Sequence, residues 1–248
     1  MKRKYLGLAL LLLIVCIFLN PETAWAAPGG KIVSAIFKST WGKVLLGFLL
    51  VLLAPAIIYV LIREHIAMKR TFRELKRLAV IDPVFDWMKL KDRITDCCHR
   101  VHSAWRAEDM SEASEWMTSW YWQNQQLAFL NQWERDGLVN HCRVKSLGKI
   151  RPLFVRFEQD NQGGFNGSRL VVSITANMED YLAERATDKI VEGSKGYADT
   201  EHVWTFELKA GQWVVANIEE GALSLSYAKM PSEVPAVLPA KNAARGTL

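Results

Sequence analysis

Cys98 and His102 stand four residues apart, a spacing that puts two metal ligands on one face of a helix. Cys97 and His99 flank them, and His141 and Cys142 lie further along the chain. A zinc site needs four convergent ligands, and no C-x-x-C pair occurs to supply half of one. These residues read as small core cysteines and partly exposed histidines, so neither a metal nor a cofactor is expected. Acid–base chemistry would have to come from Asp180 with Tyr181, or from Tyr121 with His202. Their spacing does not bring either pair together. No phosphate-cradling glycine loop, nucleophile elbow or H-E-x-x-H motif occurs. The remaining candidates are aromatic. Trp120, Phe129, Trp133, Trp204 and Phe206 are expected to line a concavity that receives an apolar ligand.

These residues belong to a chain of 248 with 50% hydrophobic and 23% charged residues. That is too polar for a many-span membrane protein and, with 10 Trp and 10 Phe, too apolar for a disordered one. Four Cys exclude a disulfide-dense secreted scaffold. Charge is uneven: residues 1–83 carry +8, residues 84–227 carry −5 and residues 228–248 carry +2. The acidic central part argues against a nucleic-acid partner.

Two apolar segments open the chain. Lys2-Arg3-Lys4, the uncharged run from Tyr5 to Leu19, and Ala24-Trp25-Ala26 define residues 1–26 as a signal peptide or an uncleaved signal anchor. Residues 44–62 are long and apolar enough for a transmembrane helix, with Pro55 tolerable as a kink. Arg63, Lys69, Arg70, Arg73, Lys76 and Arg77 follow at once, a bias that places the C-terminal side in the cytoplasm of a bacterial inner membrane. Residues 63–81 are then a basic juxtamembrane helix. Its Lys69, Arg70, Arg73, Lys76 and Arg77 are the expected contacts to anionic lipid.

Asp82-Pro83 marks the start of the soluble domain, residues 82–227. Trp87, Leu90, Ile94, Cys97, Val101 and Ala104 recur as one helix face. Ser111 is expected to cap a second helix running to about Asp136, with Gly137 as its stop. That helix would carry two apolar stripes: Ala113, Trp116, Met117, Trp120 and Leu127, then Trp122, Phe129 and Trp133. Beyond Gly137 the period is two. Strands are expected around Leu153–Phe157 and Leu170–Met178, with a short one through Leu182 to Val191. A hairpin turning at Ala210-Gly211 follows. Helices followed by hairpin-linked strands give an α+β fold with an antiparallel sheet. Residues 228–248, with Pro231, Pro235 and Pro239, read as a disordered tail.

Several short motifs fall in a familiar order. They are Ala104-Trp105 with Glu108-Asp109, Met178-Glu179-Asp180-Tyr181, His202-Val203-Trp204-Thr205-Phe206 and Trp213-Val214-Val215. From about Asp82 to Glu220 the chain resembles the domain named after subunit forty-four of the mitochondrial inner-membrane import translocase. The resemblance implies helices packed on a curved antiparallel sheet, a cone of the nuclear-transport-factor-two-like superfamily. It also implies association with a membrane. The family's mitochondrial member tethers a chaperone. This chain lacks the long charged helical portion for that, and it carries Glu207-Leu208-Lys209 where a basic residue often follows Trp-x-Phe. The expected function is that of a membrane-anchored, non-enzymatic binding domain engaging membrane proteins, apolar peptide segments or lipids, in protein transport or membrane assembly. The alternative, which the superfamily fold supports, is a small-molecule isomerase or hydrolase using Asp, Tyr and His in the same cone.

Overall fold

The structure is a computed structural model that describes residues 40–161 and 163–238. The expected signal segment, residues 1–26, lies outside them. The chain divides into two units, one ending at Leu61 and one beginning at Ile62. In the first, helix α1 (Thr40–Ala79) begins, and Val44, Leu45, Phe48, Val51, Leu52 and Ile57 are all exposed on it. From Gly47 this is a helix long and apolar enough to cross a membrane, and only 6% of its apolar window is buried.

The second unit starts with the rest of α1. Ala67, Thr71, Leu75 and Leu78 recur every three or four residues and are buried. Leu75 and Leu78 join the main core, so this stretch is part of the domain and not merely a flank before it. Lys69, Arg73 and Lys76 point to solvent instead. Asp82 and Asp86 then cap two helical segments in succession. Asp82 accepts from the Val84 amide at 2.8 Å, and Asp86 from the Met88 amide at 3.1 Å and the Lys89 amide at 3.3 Å. Helix α2 (Trp87–Ala107) buries Leu90, Ile94, Cys97, Cys98, Val101 and Ala104, which is the expected face with Cys98 added and with Trp87 only half-buried at its start. It stops at Glu108, which takes the left-handed conformation at φ 58°.

The second long helix does not form as expected. Asp109, not Ser111, caps a single 3-10 turn (Met110–Ala113), a further turn follows through Trp116, and Met117 then bridges to Val215. Val215 N donates to Trp116 O, and Thr118 N donates to Val215 O, both at 2.8 Å. The segment therefore spends its backbone groups covering the edge of the last strand, and a helix there would leave that edge open. Helix resumes at α3 (Ser119–Gln125), capped by Thr118. It passes through a π-helical turn (Gln126–Leu130) and ends as α4 (Asn131–Arg135).

Four antiparallel strands follow in sequence order: β1 (Leu138–Arg156), β2 (Arg169–Glu184), β3 (Ile190–Lys209) and β4 (Gln212–Glu220). Strand β1 starts much earlier than its apolar alternation shows, and the register slips at Pro152. Residues 182–191 are no separate strand. Leu182 to Glu184 end β2, and Ile190 begins β3 after a turn in which Asp188 has φ 58°. The turn at Ala210-Gly211 closes the expected hairpin, with Lys209 paired to Gln212. Leu170, Val172, Ile174, Trp204, Phe206 and Val215 face α2 and form the main core with it. Phe154, Val171 and Val203 form a smaller cluster on the other face with Tyr227.

The expected tail is ordered over its described part. Ala228 is buried in helix α5 (Ser224–Lys229). Phe157 N donates to Glu233 O and Glu233 N to Val155 O, both at 2.9 Å, and Val234 packs on the core. Prolines here stop helix without stopping docking. Arg156 pairs with Glu233, and Arg70 and Arg77 donate to the carbonyls of Met230, Pro235 and Ala236.

Candidate functional site

A cavity of about 600 Å³ opens between α2, the π-helical turn and the sheet face that α2 covers. Helix α2 contributes Val101, His102 and Trp105. The π turn and α4 bring Phe129 and Trp133, and the sheet supplies Cys142, Met178 and Trp204. The three outer rings form a triangle, with centroids 6.2 Å apart for Trp105–Phe129, 5.7 Å for Trp105–Trp133 and 5.8 Å for Phe129–Trp133. Such tilted contacts suit aromatic quadrupoles. Gln126 holds the π turn in place. Its Oε1 accepts from the Met110 amide and its Nε2 donates to Asn131 Oδ1, both at 2.8 Å.

The polar part of the wall is one-sided. Asp180, Glu192, Glu219 and Glu220 line it, and no Lys or Arg does. None of the four carboxylates has an ion-pair partner among the described residues. Glu219 accepts from the Tyr227 hydroxyl at 2.7 Å. Asp180 is open to the cavity, yet partial loss of hydration among the packed wall atoms still raises its pKa, against the Asn140 side chain that lowers it.

His102 is half-buried at the helix α2 wall of the cavity. Its Nδ1 lies 2.6 Å from the Cys98 carbonyl, which requires the proton on Nδ1 and leaves Nε2 as an acceptor. Loss of hydration holds its pKa down to about 4, with His202 and His99 adding repulsion. His202 is lowered too, by the same burial, against Glu220 and Glu201. Between its free value and about 4, His102 binds a proton when unfolded and none when folded. Folding stability is therefore complete above the free value and falls as pH drops, by about 3 kcal/mol in all for His102. Asp180, raised, acts in the opposite sense over its own lower window. Urea midpoints of the detergent-solubilised chain should fall as pH is lowered through this range, and His102→Asn should flatten the slope. An unchanged slope in the variant would remove His102 as the cause.

Of the five aromatic candidates, Phe129, Trp133 and Trp204 meet in this cavity. Trp120 does not, being 69% exposed and stacked on Tyr121 outside the wall. Phe206 is fully buried in the core behind it. Trp105, Glu192, Glu219 and Glu220 were not among the candidates, and Asp180 was one only for acid–base chemistry. Trp105 had a signal, since Cys98, His102 and Trp105 make a second stripe at spacings of four and three on α2. Tyr121 is not in the wall: it is buried, and its hydroxyl accepts from the Ile218 amide at 2.9 Å, so the cavity does not present it beside His202. Asp180 and Tyr181 both line the cavity, with Tyr181 stacked on His141 at 4.6 Å. Among the described residues no three His, Cys, Asp or Glu side chains group as metal ligands would. Of the basic residues on α1, Arg70 and Arg77 are engaged by the C-terminal segment, while Lys69, Arg73 and Lys76 remain at the surface.

An aromatic cavity on an α+β domain, in a chain whose described residues include one apolar helix of membrane-spanning length, fits the class of membrane-associated domains. The chain belongs to the Tim44-like family: residues 71–220 match the Tim44-like domain, beginning on α1 and not at Asp82. No curated protein matches the sequence. Among solved structures, the crystal structure of the intermembrane space region of chloroplast protein ARC6 is similar. It covers 54% of this chain and 95% of its own, at 11% identity and a TM-score of 0.39.

Proposed function

We propose that this chain is a membrane-anchored, non-enzymatic receptor whose cavity holds an apolar segment of a membrane protein, peptide or lipid during protein transport or membrane assembly. The observation that carries this reading is the cavity wall, where Trp105, Phe129, Trp133 and Trp204 present apolar rings to a space of ordinary ligand size. The apolar part of α1 spans the bacterial inner membrane, and the basic residues after it keep the domain on the cytoplasmic side. Lys69, Arg73 and Lys76 lie on one exposed helix face and engage anionic headgroups, each contributing about 1 kcal/mol. Arg70 and Arg77 instead secure the C-terminal segment.

The test uses the full chain in a non-ionic detergent, with Trp fluorescence read against a short apolar peptide of alternating Leu and Ser. Saturable quenching is expected, weakened about tenfold by Trp133→Ala. No saturation at high peptide concentration, or equal quenching in the variant, rejects the cavity as the site. Protease added outside intact cells should spare residues beyond Arg63, and cleavage there would reverse the orientation.

A further inference from the structure

An apolar receptor accounts for the rings of the cavity but not for its rim. Four carboxylates line a cavity that holds no Lys or Arg, and both of its histidines are kept neutral near pH 7 by burial. A purely apolar occupant would leave that field unanswered and would strip water from the carboxylates for no return. A cation answers it. The exposed aromatic faces of Trp105 and Trp133 attract ammonium and guanidinium groups as well. His102 Nε2, carrying no proton, accepts a hydrogen bond from such a group.

The layout of the rim says more about the occupant. The carboxylates come from three strands: Asp180 from β2, Glu192 from β3, and Glu219 and Glu220 from β4. Glu220 pairs with His202, and His202 with Ile174 of β2, six residues before Asp180. That is roughly 20 Å measured along a strand. One small amine cannot answer charges so spread, whereas basic side chains spaced along a polypeptide can. Beside this rim β3 is open. Strand β4 pairs with it only from His202 to Lys209, so Ile190 to Asp199 pair with β2 alone. Ile190, Val191 and Tyr197 are exposed on this free stretch.

We infer that the cavity and its acidic rim receive a basic, apolar-flanked segment of a partner polypeptide, a proposal that rests on the receptor function and names its occupant. One Lys or Arg enters among Trp105, Trp133 and His102, and further cations sit on Asp180, Glu192 and Glu220. Apolar residues of the segment lie against the rings and the free stretch of β3.

The test again uses the full chain in non-ionic detergent. The probes are a short peptide of alternating Leu and Arg, its Leu and Ser counterpart, and choline chloride. The Leu-Arg peptide should bind about tenfold tighter than the Leu-Ser peptide, an advantage that shrinks as salt is raised. Glu192 and Glu220 are exposed, so Glu192→Gln with Glu220→Gln should leave folding intact and remove most of that advantage. Equal affinity of the two peptides, with both still weakened by Trp133→Ala, overturns the cationic occupant and leaves the apolar receptor standing. A Leu-Arg affinity unchanged in the double variant overturns it as well, since the peptide would then bind elsewhere. Choline competing as effectively as the peptide overturns the polypeptide occupant. Failure of both peptides to bind removes this inference and the receptor function together.

Discussion

Replacing Phe85 by alanine should cost about 3–5 kcal/mol of folding stability, the range for emptying a large buried aromatic site. Phe85 is fully buried between α1 and α2. Its ring centroid lies 6.0 Å from that of Phe157, 5.7 Å from Phe165 and 5.8 Å from Trp213. The site cannot easily collapse, because Trp213 is fixed from two sides. Its indole N–H donates to the Val84 carbonyl at 2.9 Å, and its own carbonyl accepts from Arg93 Nε at 2.9 Å. The cavity left behind therefore persists, and the cavity contribution adds to the lost transfer energy. Phe85→Leu keeps much of the volume and should cost clearly less. Urea unfolding of the detergent-solubilised chain, followed by near-UV circular dichroism, measures both. A loss below about 1 kcal/mol for the alanine variant would show that this cluster is not the keystone of the core.

The second large effect concerns charge. Glu64 is only 6% exposed, directly after the apolar stretch of α1. It is bonded at 3.0 Å to Arg151 of β1 and accepts from the Ser224 hydroxyl at 2.6 Å. Arg151 also reaches Glu201 and the Ser173 hydroxyl, on the sheet face opposite α2. Arg151→Met leaves Glu64 buried without a cation and should cost about 3–5 kcal/mol. Adding Glu64→Gln should restore a large part of that loss, because the pair is expensive chiefly when half of it is missing. If the double variant is as unstable as the single one, the damage lies in packing of the Arg151 stem and not in the stranded charge. Tm and urea midpoint on the same preparations separate these outcomes.

How much of this could be read from residues alone varied with the physics of each element. Helix α2 was legible because an apolar period of 3.6 is a local signal, although its Asp86 cap was not read. The β3–β4 hairpin was legible because alternation meets a turn with a positive-φ glycine, Gly211 at 77°. The first half of β1 was not, since Leu138 to Ile150 is mostly half-buried or exposed and so carries little apolar alternation. The broken helix after Asp109 was hidden for another reason. Residues 115–118 have helical composition, but their backbone is recruited by Val215 of β4, a partner far along the chain. The second half of α1 reads as a basic flank because its charges are obvious, while Ala67, Thr71, Leu75 and Leu78 form a quieter buried stripe. At the cavity, Phe129, Trp133 and Trp204 announced themselves by type. The acidic rim did not: Asp180 was singled out only for acid–base chemistry, and the four members come from three strands and meet only once the sheet is built.

The π-helical turn at Gln126–Leu130 has a consequence for how this site can diversify. Relative to an α-helix, a π turn accommodates one additional residue, and one residue is worth about 100° of rotation about the axis. Because the turn absorbs that residue, deleting one there would restore regular winding and leave Trp133 on its present helix face, and the ring displaced would be Phe129, which lies inside the turn. The shape of one wall of the cavity therefore depends on a single residue of chain length in this turn, while the sheet beneath stays as it is.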